Sequence, residues 1–493
     1  MIGIKTVNIN SKLDYLRFLS GHSNLLSELM GAFFKDIDEN TTVVFDDLIP
    51  DEYIDYSVFD FLINGIGLKC NKIQVEYPYY DNDYLSVYYL HYSQKFYHYP
   101  KACYRIHFYS KSECYCGYMV LRPIMGASKI GKSFIAPVLF GNARKYILKS
   151  TFAAHVCGEK RKVVAFPWKH QETDVAVCAH TAIWNVLKYY GNKYPNYRDT
   201  TIGEIVDKAE ESEGRKTPSN GLTPIQASSI LKQYGFSPVI INQKRDELFV
   251  DFRDELVAYV ESGLPIIAFV GVGGEHAITI IGHGDVDYDN ISKIEPGMQK
   301  SNAIGINELI VMDDNYAPYR SMPVSLATQY SEVPYSVANI DYYVVPLYDR
   351  IHMEYRTVKD RLKDWLNIAD MSWHSKEVYR IYLTSSKSLK EKTREDASMD
   401  EDIKKVILEL SMPKFVWCID FSTIEEYKKH LCSGRIIVDS TSEKGYPDSW
   451  IFRHDDDAYD YKDYDNGYRP EKPIKRIGSN PYHIYVNNLK EVP

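Results

Sequence analysis

The alternation of apolar and polar positions divides the chain into three stretches. In the first, residues 1 to about 150, "LDYLRFLSGHSNLLSELMGAFFKDI" spaces its apolar residues as a helix does. Three aromatic-rich runs follow, "YLSVYYLHY", "ACYRIHFYS" and "CYCGYMVLRPI", and their alternation predicts strands of an antiparallel sheet. The second stretch, 151 to 348, opens with "HQETDVAVCAHTAIWNVLKYYG". There Ile183, Val186, Leu187 and Tyr190 recur at helical spacing, and Gly191 is the expected stop. "GLTPIQASSILKQYGF" predicts another helix, with Thr223 as N-cap, Pro224 in the first turn and Gln226 completing a capping box. Its Ile225, Ser229, Ile230 and Leu231 are expected to face a core. "DELVAYVESGLP" is a third helix, closed by Gly263 and Pro265. The strands "IIAFVG", "HAITIIG" and "ELIVMDD" come next, the last after a polar insertion at about 284 to 305. The third stretch, 349 to 493, has strand-like "VYRIYLT", "KFVWCIDF" and "GRIIVDS". Between them, charge-dense "KSLKEKTREDASMDEDIKK" reads as a linker or an exposed helix. Helices followed by strands make the expected class α+β, in three units at 1–150, 151–348 and 349–493.

Length agrees with that division, since 493 residues exceed one ordinary domain. A chain 45% hydrophobic and 25% charged has the balance of a soluble globular protein. The net charge is −9 and no basic run stands out, which argues against nucleic acid or an anionic membrane as main partner. The most apolar segment, "GLPIIAFVGVGGEHAITIIG", is interrupted by glycines, Glu275 and His276, so no membrane span is expected. The N-terminus lacks a signal-peptide pattern, and eight cysteines in this length do not make a disulfide framework. A cytoplasmic protein with reduced thiols is the expectation. The 42 tyrosines suit both half-buried strands and contact surfaces, and select no function.

Candidate chemistry concentrates in the middle unit. Cys178 stands where a loop turns into a helix, and a helix N-terminus favours the thiolate, which is the nucleophilic form. A nucleophile needs a base in reach and a group to orient the base. His276 begins an apolar strand just after the turn "GVGGE", and the neighbouring strand ends in Asp313 and Asp314. Asp313 directly follows the apolar run and is the preferred orienter, with Asp314 the alternative. A zinc reading competes: His155, Cys157, Cys178 and His180 form an H-x-C … C-x-H set, although zinc pairs usually have more residues between ligands. Cys114 and Cys116 are a weaker metal pair.

These residues resemble a known superfamily. "EHAITIIGHG" is similar to the strand carrying the catalytic His of papain-like cysteine peptidases, and "LIVMDD" to the next strand, which ends at the catalytic Asn or Asp. "HQETDVAVCAHTAIWNVLKYYG" resembles the Gln-to-Cys segment, especially in the bacteriocin-processing branch. The resemblance spans about 170 to 320. It implies a papain-like core with Cys178 as nucleophile, His276 as general base and Asp313 as orienter. Gln171 would join the Cys178 backbone amide in binding the oxyanion. Ala179 stands where the family has Gly, and Gln171 lies one residue further from the Cys. The implied activity is cysteine peptidase, acting on a protein or peptide substrate without cofactor or metal. The same triad also serves acyl transfer or isopeptide cleavage, and a dead enzyme would be a binding module.

Overall fold

In the computed structural model the described residues are 7–8, 42–44, 72–79, 81–91, 103–110, 114–122, 130–140, 145–156, 158–171, 177–213, 221–245, 248–271, 275–295, 298–325, 332–368, 376–442, 449–455, 458–464 and 480–492. The fold is α+β. The expected helix over residues 13–37 lies outside them.

Three sheets dominate. The first runs through β1 (Lys72–Tyr79), β2 (Cys103–Tyr109), β3 (Tyr115–Leu121) and β4 (Ile130–Ile135), antiparallel neighbours in chain order. The second contains β5 (Lys145–Ile147), β8 (Val239–Asn242), β9 (Ile266–Gly271), β10 (Glu275–His283), β11 (Glu308–Met312), β12 (Arg320–Pro323) and β13 (Ile340–Val345). A hairpin of β6 (Ser150–Val156) and β7 (Glu159–Ala165) lies between β5 and β8 in the chain. The order is β8-β13-β9-β10-β11-β12, with β5 against β10. The third sheet is built on β14 (Val378–Ser385), β15 (Phe415–Ser422) and β16 (Gly434–Asp439). Strand pairing crosses between the stretches. The C-terminal strand β17 (Lys490–Val492) returns to pair with β5, and Lys300–Ser301 of the polar insertion pairs with β14.

The residues of β9 read as an unbroken apolar run because five of its six residues are buried. A helix α2 (Cys178–Lys193) packs along β9 and β10. Its burial is nearly all-round, including Trp184, Tyr189 and Tyr190, so it is a core helix with more than one apolar face. Another helix, α5 (Phe249–Glu261), lies between β10 and β14 and joins the second sheet to the third.

Several expectations need correction. "YLSVYYLHY" is not a strand but most of helix α1 (Asn82–His91). Buried Asp83, Tyr84 and Val87 fall at i, i+1 and i+4, one helical face, and Leu85 N–H closes the first turn on Asp81 O at 2.8 Å. This helix packs on α3 (Ile202–Glu213), where Ser86 Oγ accepts from Gly203 N–H. The capping box at Thr223 and Gln226 forms as expected at the start of α4 (Pro224–Gln233). Ile225, however, is 72% exposed, because the first turn presents it away from the buried face of Ala227, Ile230 and Leu231. The charge-dense segment forms two helices, α7 (Ser386–Glu395) and α8 (Glu401–Glu409), each burying only an i, i+4 pair: Leu389 with Thr393, and Ile403 with Ile407. Helix α6 (Tyr355–Ile368) precedes β14. Gly263 does end α5, at φ 74.

Gly191 does not stop α2, which continues to Lys193. A Cβ there would stand 2.9 Å from the Asp199 backbone, so the glycine admits a passing chain segment. Helix propensity alone favours Gly191→Ala by up to about 1 kcal/mol. The clash is with backbone, which cannot swing away, so the expected result is a net loss of about 1–3 kcal/mol. A shift of the urea midpoint to higher concentration would contradict this.

Candidate active site

The site is assembled where α2 begins beside β10. The spacing of helix and strand explains why their residues meet. Four residues of helix rise about 6 Å and two residues of strand about 6.6 Å, so i, i+4 positions on α2 run in step with i, i+2 positions on β10. Two contacts realise this: Ala277 N–H donates to Cys178 Sγ at 3.3 Å, and Thr279 Oγ1 donates to the Ala182 carbonyl at 3.4 Å. Cys178 is therefore fixed next to the start of β10. The N-cap of α2 is Val177, whose side chain makes no capping bond, and its carbonyl takes the His180 and Thr181 amides. That leaves the amides of Cys178 and Ala179 without an intrahelical partner, as helix geometry requires.

His276 is the second residue of β10, opposite Val270 of β9. On the other side Met312, the last residue of β11, pairs with Thr279. Asp313 thus leaves β11 beside the start of β10, and its Oδ1 lies 2.9 Å from His276 Nε2. Cys178 is close enough to the ring to raise its pKa. With Nε2 taken by Asp313, Nδ1 is the nitrogen left free for a thiol. Cys178, His276 and Asp313 are brought together in the expected order.

Asp313 is fully buried and heavily held. Its carboxylate accepts the Tyr335 hydroxyl and, at 2.8 Å, the Asn315 amide. Its carbonyl accepts the Trp168 indole N–H at 2.7 Å. Asp314 is also buried, but its nearest oxygen is 3.9 Å from His276 Nε2, too long for a hydrogen bond. Of the two, Asp313 is the one bonded to the ring.

The electrostatics follow from burial and charge. Burial by itself lowers the His276 pKa, but the hydrogen bond with Asp313 and the adjacent Cys178 side chain, then the charges of Asp313 and Asp314, outweigh it and raise it to about 11. The ring is an imidazolium at neutral pH. Asp314 is pushed upward, first by burial and next by the charge of Asp313. Nearby Lys169 is lowered to about 8 by burial and Arg122, and His170 to about 4, chiefly by burial. The buried carboxylates Asp83 and Asp81, from the α1 segment, act on Lys169 in the opposite direction. The N-terminal stretch therefore contributes charge behind the site.

No protein-family model matches the chain, and no curated protein matches it.

Other candidate residues are placed as follows. Gln171 Nε2 donates to Asn315 Oδ1 at 2.9 Å, two residues beyond Asp313. The zinc set does not assemble among the described residues: His155 is exposed on β6, His180 is buried in α2, and Cys157 lies outside them. Cys114 is exposed and Cys116 buried, and the Cys116 thiol donates to the Cys114 carbonyl. The one cluster of potential metal ligands among the described residues is His276, Asp313 and Asp314. A metal there would have to displace the His276 proton. No helix among the described residues is long and apolar enough to cross a membrane.

Sequence reasoning missed Tyr335, Trp168 and Asn315, which hold Asp313. Trp168 is fixed to β4 by backbone bonds with Ser133. Only Asn315, adjacent to the Asp pair, had a local signal: an Asp accepting from the amide two residues on is a common turn.

Proposed function

We propose that the chain is a papain-like cysteine peptidase or a close amide hydrolase, acting on a protein or peptide substrate through Cys178, His276 and Asp313. The observation that carries this reading is His276, bonded by Nε2 to Asp313 at 2.9 Å, beside a Cys178 Sγ held at 3.3 Å by the amide of the next residue, Ala277. The attacking species in such chemistry is a thiolate, and a neighbouring imidazolium is its counter-ion. The thiolate adds to the amide carbonyl, and the oxyanion that forms lies near the Cys178 amide at the positive end of α2. His276 gives its proton to the leaving amine as the C–N bond breaks, leaving an acyl-enzyme. The neutral ring then takes a proton from water, whose oxygen attacks the thioester and releases the acid and Cys178. Gln171 would serve the oxyanion only after exchanging its bond to Asn315 for one to the substrate.

Alkylation tests this reading without knowledge of the substrate. Iodoacetamide at neutral pH is expected to label Cys178 first, with the buried thiols of Cys103, Cys116, Cys418 and Cys432 unreacted. His276→Ala should remove that preference. Slow labelling of Cys178 at the rate of exposed Cys114, unaltered by His276→Ala, would overturn the proposal.

A further inference from the structure

A cleft of about 740 Å³ opens where the second sheet's helices meet the third sheet, at the end of α2 remote from Cys178. Its walls carry Lys193, Lys387, Lys414 and Lys490, against a single acid, Asp349. That excess of positive charge stands out on a chain whose net charge is −9. Lys193, Lys414 and Lys490 form no ion pair with a carboxylate among the described residues. Lys193 donates instead to the Tyr189 hydroxyl, and Lys490 to Asn487 Oδ1 at 2.6 Å. Lys387 faces Glu391 only at 3.8 Å. Lys193 and Lys490 repel one another, which together with the larger effect of burial lowers the Lys193 pKa to about 8.

Cations converging without counter-charge, in a cleft with few acids, fit an anion that neutralises them. The neighbouring structure is of the same sign. The ten-residue helix α7 begins on this wall, with Ser385 as N-cap, so the positive end of its dipole faces the same space. Ser386 and Ser388 also line the cleft, with their hydroxyls bonded to the Lys414 carbonyl and the Tyr485 hydroxyl. The volume far exceeds one phosphate group and falls in the range of small-molecule sites. Tyr194, Tyr348 and Phe415 supply aromatic wall, with Tyr348 stacked on Phe415 at 4.5 Å between centroids.

We propose that this cleft binds a soluble organic phosphate carrying an aromatic ring, of the nucleotide class. Phosphates meet the lysines and the start of α7, and the ring lies against the tyrosines. Lys193 ends the helix that Cys178 begins, so the site is about 22 Å along α2 from the thiol. The ligand would tie that helix end to Lys387 and Lys414 of the third sheet's side. The inference does not depend on any reaction at Cys178.

The experiment is calorimetric titration and thermal melting of the full chain with ATP, pyrophosphate and adenosine as probes. Saturable binding of ATP is expected, with a rise in melting temperature, weaker binding of pyrophosphate and none of adenosine. Lys193→Glu combined with Lys414→Glu should weaken ATP roughly tenfold or more. Lys387→Gln with Lys490→Gln, which introduces no new charge, should weaken it less and serves if the first variant does not fold. Cys178→Ala should bind ATP as the parent does, so loss of peptidase chemistry and loss of this site are separable. Absence of ATP binding to the parent, or ATP binding unaltered by both lysine pairs, would overturn the proposal.

Discussion

Asp313→Asn is expected to lower turnover roughly 10²- to 10⁴-fold, with the fold retained. The substitution is nearly isosteric and keeps an acceptor for the Tyr335 hydroxyl or the Asn315 amide. What it removes is the charge that outweighs burial at His276. In the parent, that ring is raised to about 11, so its imidazolium persists through neutral pH, and any stability it lends is complete below about 6.5 and lost as pH rises through 11. In Asp313→Asn the lowering effect of burial is no longer opposed by the nearest carboxylate, and the ring pKa falls. The alkaline limb of Cys178 alkylation should move down in pH with it. Asp314→Asn is the control: at 3.9 Å it makes no bond to the ring, and turnover should change by only a few-fold. The reverse ranking, with Asp314 the critical residue, would refute the assignment. NMR titration of the His276 ring measures the shift directly.

The second large effect is on stability. Glu261→Ala is expected to cost about 3–5 kcal/mol, because it strips the carboxylate from a buried arginine. Glu261, the last residue of α5, bonds Arg380 of β14 at 2.6 Å, and both are nearly inaccessible. Asn302 Nδ2 also donates to Glu261, at 3.1 Å, and His283 lies at 3.6 Å. Arg380 in turn donates to the Tyr485 carbonyl. Burial alone raises the Glu261 pKa, but the Arg380 charge and then His283 bring it below the ordinary glutamate value. The sign of the pH effect follows. A depressed carboxylate lends stability above its unfolded pKa, about 4.3, and that stability is lost as pH falls through the folded value. Urea melts should therefore show the parent weakening below pH 4 to 5 more steeply than Glu261→Ala. Glu261→Gln, which keeps one acceptor oxygen for Asn302 or Arg380, should lose less. Equal stability of Glu261→Ala and the parent would show that α5 and β14 are held by apolar packing alone.

Much of the candidate site was legible in the linear sequence, for identifiable reasons. The thiol at a helix start, the histidine at a strand start and the aspartate at a strand end are each marked by a boundary between apolar and polar residues. Those boundaries are set by local burial periodicity, which needs no tertiary information. The α+β class follows from the same periodicities, and the capping box at Thr223 from a four-residue pattern. The sequence could not separate strand from helix in "YLSVYYLHY". Its apolar spacing satisfies both periods, and burial of Asp83, Tyr84 and Val87 along one helical face decided for the helix. Nor could it show that Gly191 is a packing position inside α2, since that depends on the Asp199 backbone passing close by. The choice between Asp313 and Asp314 is likewise tertiary: adjacent residues share every local signal, and only the register of β11 on β10 brings one to 2.9 Å and leaves the other at 3.9 Å. The positive cleft joins lysines from positions 193, 387, 414 and 490, which have no sequence proximity to reveal them. Periodicity along the chain is local and can be read from the chain. The distances between chemical groups far apart in it arise only when the core has packed.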